Sequence, residues 1–219
     1  MEYLCLESST VTVVRANFHP FSGEPDLNTA ENHSDSAVVF GIPAIAGRQP
    51  RPLAPRTDAF NVVFVSGQEV ALWVKENFKK ELVKLQSFKS KCYKEALEEC
   101  FIKMDELMES PAGQRRLMEL QSQSDGGFGD SGKSFAGCTA TVILVTRTEV
   151  ICANAGDSRT VLSKGGRAKE MSEDHKPENP GELSRIQRSG GFVEEGRVNG
   201  MLALSRALGD FEYKSNSQL

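Results

Sequence analysis

CTATVILVTRTEVICANA, residues 138–155, decides how this chain is built. Its first eight and last seven residues are two apolar, β-branched runs of strand length, and between them stand only Thr146, Arg147 and Thr148. Two such runs joined by three polar residues specify an antiparallel hairpin. The same rhythm continues downstream, where residues 160–163 and 168–171 flank Lys164-Gly165-Gly166-Arg167. The glycine pair supplies a second tight turn, and the whole reads as an antiparallel meander.

Upstream the period changes to that of a helix. Val70, Trp73, Val74, Phe78, Leu82 and Leu85 recur at three- and four-residue intervals, with Lys75, Glu76, Lys79 and Lys80 opposite them. A second helix follows Ser90, striped by Tyr93, Leu97, Cys100, Phe101, Met104, Leu107 and Met108, and Pro111 marks its stop. Stripes of this kind are core packing and carry no chemistry. QSQSDGGFGDSGKS, residues 121–134, is rich in Gly and Ser without period and reads as a loop. Beyond the hairpins, Pro180 opens a helix through Gln187, and Gly190-Gly191 ends it by allowing positive φ. Short strands at Phe192-Val193, Arg197-Val198 and residues 201–204 complete the pattern. Helices followed by hairpins define the α+β class, with helices covering an antiparallel sheet.

The first 55 residues differ in kind. They hold Pro20, Pro25, Pro43, Pro50, Pro52 and Pro55, and the first lysine of the chain is Lys75. AVVFGI (37–42) and FNVVFV (60–65) are candidate strands, but residues 1–58 are expected to be mostly irregular and to precede a domain over 59–219. The bulk numbers bound the rest. With 219 residues, 39% hydrophobic and 26% charged, the chain can fill one core. A net charge of −4 leaves no positive excess for a nucleic acid. Cys5, Cys92, Cys100, Cys138 and Cys152 are odd in number and scattered, which suits reduced thiols in a cytosolic or nuclear protein. No run of about 18 apolar residues and no basic start followed by an apolar stretch occurs, so neither membrane spanning nor secretion is expected.

Candidate functional residues gather in the second half. Asp157 follows Gly156 at the end of an apolar strand, where a carboxylate can face a cleft, although turns favour Asp as well. Arg159 stands two residues on. Asp174 and His175 could form an acid–imidazole pair, against the commoner case of a hydrogen-bonded loop histidine. Arg206 and Asp210 flank a Leu-rich strand end, where a structural Arg–Asp ion pair is the default.

In order, GCTATVILV, ANAGDSRTVLSKGG, SEDHKPENPGELSRIQRSGGFV and RVNGMLALSRALGDFEYK resemble consecutive segments of the metal-dependent protein serine/threonine phosphatases of type 2C. The resemblance runs from Gln68 to Lys214, with EVALWVKENF similar to the first long helix of that family. It implies a β-sandwich flanked by helices, with two Mg²⁺ or Mn²⁺ ions activating water against phosphoserine or phosphothreonine of a phosphoprotein. Asp157 matches a peripheral position that contacts a third, weakly held metal. Arg159, Asp174, His175, Arg206 and Asp210 match motif positions that support the structure.

The sequence also departs from that pattern. Where the family has an Asp-Gly-His-Gly-Gly turn, whose Asp bridges the metals, this chain reads Val62-Val63-Phe64-Val65-Ser66-Gly67 before the helix. Arg56 and Asp58 are poorly placed to replace the upstream Arg and acids, and Leu219 comes before the later metal-binding aspartates. The expectation is an incomplete antiparallel sandwich flanked by helices, a phosphatase by family that is inactive as it stands. A catalytically silent phosphoprotein-binding or regulatory protein is the alternative. No nucleic acid or membrane partner is expected.

Overall fold

The computed structural model describes residues 10–15, 37–42, 52–53, 60–65, 68–124, 136–146, 148–164 and 167–214. In chain order they form β1 (Thr10–Arg15), β2 (Ala37–Ile42), β3 (Pro52–Leu53), β4 (Phe60–Val65), α1 (Gln68–Leu82), α2 (Gln86–Lys89), α3 (Tyr93–Glu109), α4 (Pro111–Ser124), β5 (Gly137–Val145), β6 (Glu149–Ala155), β7 (Arg159–Lys164), β8 (Arg167–Glu170), α5 (Pro180–Arg188), β9 (Val193–Glu194), β10 (Arg197–Val198), β11 (Leu208–Gly209) and α6 (Phe211–Lys214).

The hairpin read from residues 138–155 is the centre of the molecule. β5 and β6 pair antiparallel with Val142 opposite Ala153, β1 adds to the outer side of β6, and β4 and β11 add to the other side of β5. A second sheet runs in the order β3-β2-β7-β8. Alternation along β5 assigns its two faces. Ala140, Val142 and Leu144, with Ile151, Ala153 and Ala155 of β6, join the core that packs under the helices. Ile143, Val150 and Cys152 point the other way and meet Leu162 and Met171 beside the second sheet. The result is an antiparallel sandwich with helices on the outside of one layer.

The expected single meander is therefore two hairpins in different sheets. Gly156 is the reason. Its φ is +103, and a Cβ at this position would lie only 2.4 Å from Thr139 Cγ2, so it admits no side chain and lets the chain leave one sheet for the other.

Pro111 also has a second role. It ends α3 as read, but it also opens α4, a helix the sequence did not announce. Ser110 caps that helix in extended conformation, accepting from Gly113 N–H at 3.1 Å while its own hydroxyl donates to Leu107 O at 2.6 Å. A Cβ on Gly113 would stand 2.1 Å from Leu107 O, so glycine permits this sharp corner. Of the loop expected over 121–134, residues 121–124 prolong α4 and the remainder lies outside the described residues. α1, α3 and α4 pack on one another around Phe78 and Phe101, whose rings meet edge to face at 5.2 Å.

Within residues 1–58, read as mostly irregular, β1, β2 and β3 are ordered strands, and the rest of that segment lies outside the described residues. β1 is held because all six of its residues pair with β6. Downstream, α5 begins at Pro180 as read and Gly190 has φ +84. Among the described cysteines all four are free thiols, and burial pushes Cys100 up to about 12 and Cys152 up to about 11. No helix among the described residues is long and apolar enough to cross a membrane.

Two substitutions test this packing. Phe78→Ala removes a ring with no exposed surface and should lower the unfolding free energy by about 3–5 kcal/mol in urea denaturation. Ser110→Ala should cost about 1 kcal/mol through the lost cap.

Candidate functional site

Asp157 lies where β6 leaves its sheet, and the segment 172–176 is fastened along that exit. Gly156 and His175 exchange bonds: the His175 N–H donates to Gly156 O at 3.0 Å, and the Gly156 N–H donates to His175 Nδ1 at 3.0 Å. On either side of this pair, the Lys176 ammonium donates to the Asp157 carboxylate, and Arg159 forks onto Asp174 with both bonds at 3.0 Å. Asn154, buried in β6, donates from Nδ2 to Gly156 O and Glu173 O at 3.0 and 3.1 Å. Ser158 and Thr139 share a buried hydroxyl bond of 2.7 Å beneath the exit.

His175 is a structural joint. Because Nδ1 accepts from a backbone N–H, the neutral ring carries its proton on Nε2, which donates to Thr10 Oγ1 of β1 at 3.2 Å. Its carbonyl accepts from Ser205 N–H at 2.9 Å, with the Ser205 hydroxyl 3.0 Å away. Burial, followed by the nearby Arg206 charge, pushes its pKa down to about 4, so near neutral pH the ring is uncharged. The acid–imidazole pair weighed from the sequence is not made: Asp174 faces Arg159 instead.

The ion pair expected between Arg206 and Asp210 is not made either. Arg206 Nε and Nη2 grip Glu182 at 2.6 to 3.1 Å, and the same carboxylate accepts from Arg185 Nη2 at 2.7 Å and Ser205 Oγ at 2.6 Å. Burial alone would raise the Glu182 carboxyl, yet the donors from Arg206, Ser205 and Arg185 hold it down to about 2. Sequence reading missed Glu182. Its signal was an acid in the first turn after Pro180, which reads as an ordinary helix start.

Asp210 sits apart, at φ +49, with its carboxyl against the open side of Gly137, where a Cβ would lie 2.1 Å from Oδ2. Burial pushes it up to about 6; Lys214 opposes this, while Glu212 and Asp105 add to it. Asp105, from α3, was also missed. It accepts from Gly209 N–H at 2.9 Å and from Lys214, and burial raises its carboxyl despite both.

The structure thus brings Asp157, Arg159, Asp174 and His175 together, ties Arg206 to the back of that group through Glu182 and Ser205, and leaves Asp210 with Asp105 and Lys214. A divalent metal pair needs several converging oxygens. Among the described residues no group of three or more His, Cys, Asp or Glu side chains is placed to hold one, and the Asp157 carboxylate already faces an ammonium. These residues do not fit a two-metal centre. The turn that would supply a bridging carboxylate belongs at this same end of the sheet, since Val65 of β4 stands opposite Thr139, the residue against Gly156. Between Val65 and Gln68 the chain has Ser66 and Gly67 alone.

Residues 56–219 match the family model for protein phosphatase 2C. Over 153 residues the chain is 52% identical to the probable protein phosphatase 2C 2 of Paramecium tetraurelia, covering 70% of this chain and 49% of that one. Protein phosphatase 2C homolog 2 of Aspergillus fumigatus is 42% identical over 154 residues, covering 70% of this chain and 32% of that one. The chain spans about half the length of its Paramecium relatives. Among solved structures, a C. elegans sex determining protein overlays with a TM-score of 0.52 at 18% identity, across 96% of this chain and 47% of that one, a likeness of fold.

Asp210 and His175 set opposite pH dependences. A carboxyl raised from an ordinary 3.8 to about 6 favours the fold below that window and loses this contribution as pH rises through it. Asp210→Asn, a residue that tolerates positive φ, should match the parent near pH 4 and exceed it at pH 7 by about 2–3 kcal/mol in denaturant titrations. His175 runs the other way. Its neutral form stabilises the fold fully above its ordinary 6.5, and this is lost as pH falls toward 4. The Asp210→Asn protein should therefore lose stability on acidification more steeply than the parent. Separately, Glu182→Ala leaves two guanidinium groups without their carboxylate and should cost about 3–5 kcal/mol.

Proposed function

The chain belongs to the protein phosphatase 2C family, and we propose that it carries the frame of a protein serine/threonine phosphatase without a working metal centre. The observation that carries this reading is the junction of β4 and α1, where Ser66 and Gly67 replace the acidic turn of the family pattern. Hydrolysis of phosphoserine or phosphothreonine in this family's manner needs Mg²⁺ or Mn²⁺ held by converging carboxylates, which would generate hydroxide near neutral pH. Asp157 is the one residue carried over from the family's metal-binding acids, and its partner is Lys176. Arg159, Asp174, His175, Arg206 and Asp210 act on this reading as supports: they fix loops and strand ends and do not touch the phosphoryl group. In a protein as long as the relatives, the substrate class would be phosphoserine and phosphothreonine proteins.

The purified 219-residue chain should leave a phosphothreonine peptide intact with Mn²⁺ or Mg²⁺ present. A metal-dependent rate that persists through purification and disappears in Asp157→Ala would overturn the proposal. Replacing residues 65–67 with Asp-Gly-His-Gly-Gly should leave the chain inactive, because one added carboxylate still gives too few oxygens for a metal pair. Calorimetry with Mn²⁺ should show weak uptake by that variant and none by the parent.

A further inference from the structure

We propose that the lysine-rich face running from α1 to the start of α3 is a docking surface for an acidic, extended segment of a partner protein. The proposal rests on charge distribution, and it stands whether or not the chain turns over phosphate. Residues 75–94 contain seven lysines and two glutamates, while the other 199 residues contain 19 basic and 28 acidic side chains. Positive charge is thus concentrated in one 20-residue stretch of a chain whose remainder is net acidic.

Acids meet part of that face: Glu98 lies 3.9 Å from Lys94, and Glu99 of α3 accepts from Ser87 of α2 at 2.6 Å. Of the stretch's own two acids, Glu76 is held by Arg116 of α4 through bonds of 2.8 and 3.2 Å, and Glu81 accepts from Lys84 at 2.6 Å. Lys75, Lys79, Lys89 and Lys91 are exposed, and their ammonium groups make no hydrogen bond or ion pair among the described residues. Lys80, also exposed, has the through-space attraction of Glu76, whose carboxylate Arg116 already grips. Lys75 and Lys79 are one helical turn apart, where like charges repel and weaken a helix. Inside this chain that repulsion has no use.

Geometry sets the size of the partner. From Lys75 to Lys84 the chain rises about 14 Å at helical pitch, a distance an extended peptide covers in about four residues. The corner before α3, where Lys91 turns at φ +63, adds the exposed Lys89 and Lys91. An acidic stretch of about six to eight residues spans the whole face. A nucleic acid or an anionic bilayer would also meet the acidic remainder of the molecule, whereas a short segment touches the lysines alone. From α1 to the start of α3 the chain offers few apolar anchors. Leu72 and Val83 are the exposed large hydrophobic side chains there, and Phe88 and Tyr93 turn onto each other at 5.4 Å.

The test uses the full chain and a fluorescein-labelled octapeptide of alternating Asp and Glu, followed by anisotropy at low and at physiological salt. Saturable binding that weakens with salt is expected, with no binding of the Asn/Gln octapeptide. Lys79→Glu/Lys80→Glu should weaken it at least ~10-fold, and Lys75→Gln/Lys89→Gln/Lys91→Gln should weaken it less, with unchanged thermal transitions in both. Equal affinity of the charge-reversed variant and the parent would overturn the proposal. So would tighter binding to phosphatidylserine vesicles or to a single-stranded oligonucleotide than to the acidic peptide.

Discussion

Two hydrogen bonds between Gly156 and His175 join the exit of β6 to the segment that follows β8. Gly156 is where the chain passes from one sheet of the sandwich to the other, at a φ and a closeness to Thr139 that exclude any side chain. A backbone so placed leaves a buried N–H and C=O outside any strand ladder, and each would cost free energy if unpaired. His175 satisfies both, the N–H through its ring and the carbonyl through its own amide. The ring can do this only while neutral, which explains why burial and the Arg206 charge, both disfavouring imidazolium, suit the position.

From that joint the order spreads outward. The other ring nitrogen reaches Thr10 and so fastens β1, and the His175 carbonyl accepts from the Ser205 amide. Ser205 in turn belongs to the Glu182 cluster, where one carboxylate collects two guanidinium groups and a hydroxyl. A buried carboxylate without those donors would be expensive, and each arginine without it equally so. Their mutual dependence ties α5 to the segment between β10 and β11. Residues that looked like separate motifs along the chain are therefore parts of one hydrogen-bonded frame around Asp157.

That frame is intact although no group of acids among the described residues around it is placed to hold a metal. Support and chemistry are separable here because different forces maintain them. The frame consists of backbone groups and ion pairs internal to the fold. A metal centre consists of carboxylates whose mutual repulsion only a cation relieves. With Lys176 beside it, the Asp157 carboxylate has an internal counter-ion.

The sequence by itself determined the β5–β6 hairpin, α1, α3 and α5, because period-two and period-3.6 apolar patterns are local consequences of which face is buried. It also determined the family, since residues 137–214 keep its motifs in order, and it located Asp157, Arg159, Asp174 and His175 near one another along the chain. Only the tertiary structure decided their partners. Asp174 chose Arg159 over the adjacent imidazole, and Arg206 chose Glu182, 24 residues away, over Asp210. Likewise the meander became two sheets at Gly156, and Pro111 opened a helix as well as closing one. Each of these outcomes depends on which buried donor finds which acceptor across the fold. That choice is made by desolvation in three dimensions, and a linear pattern does not contain it.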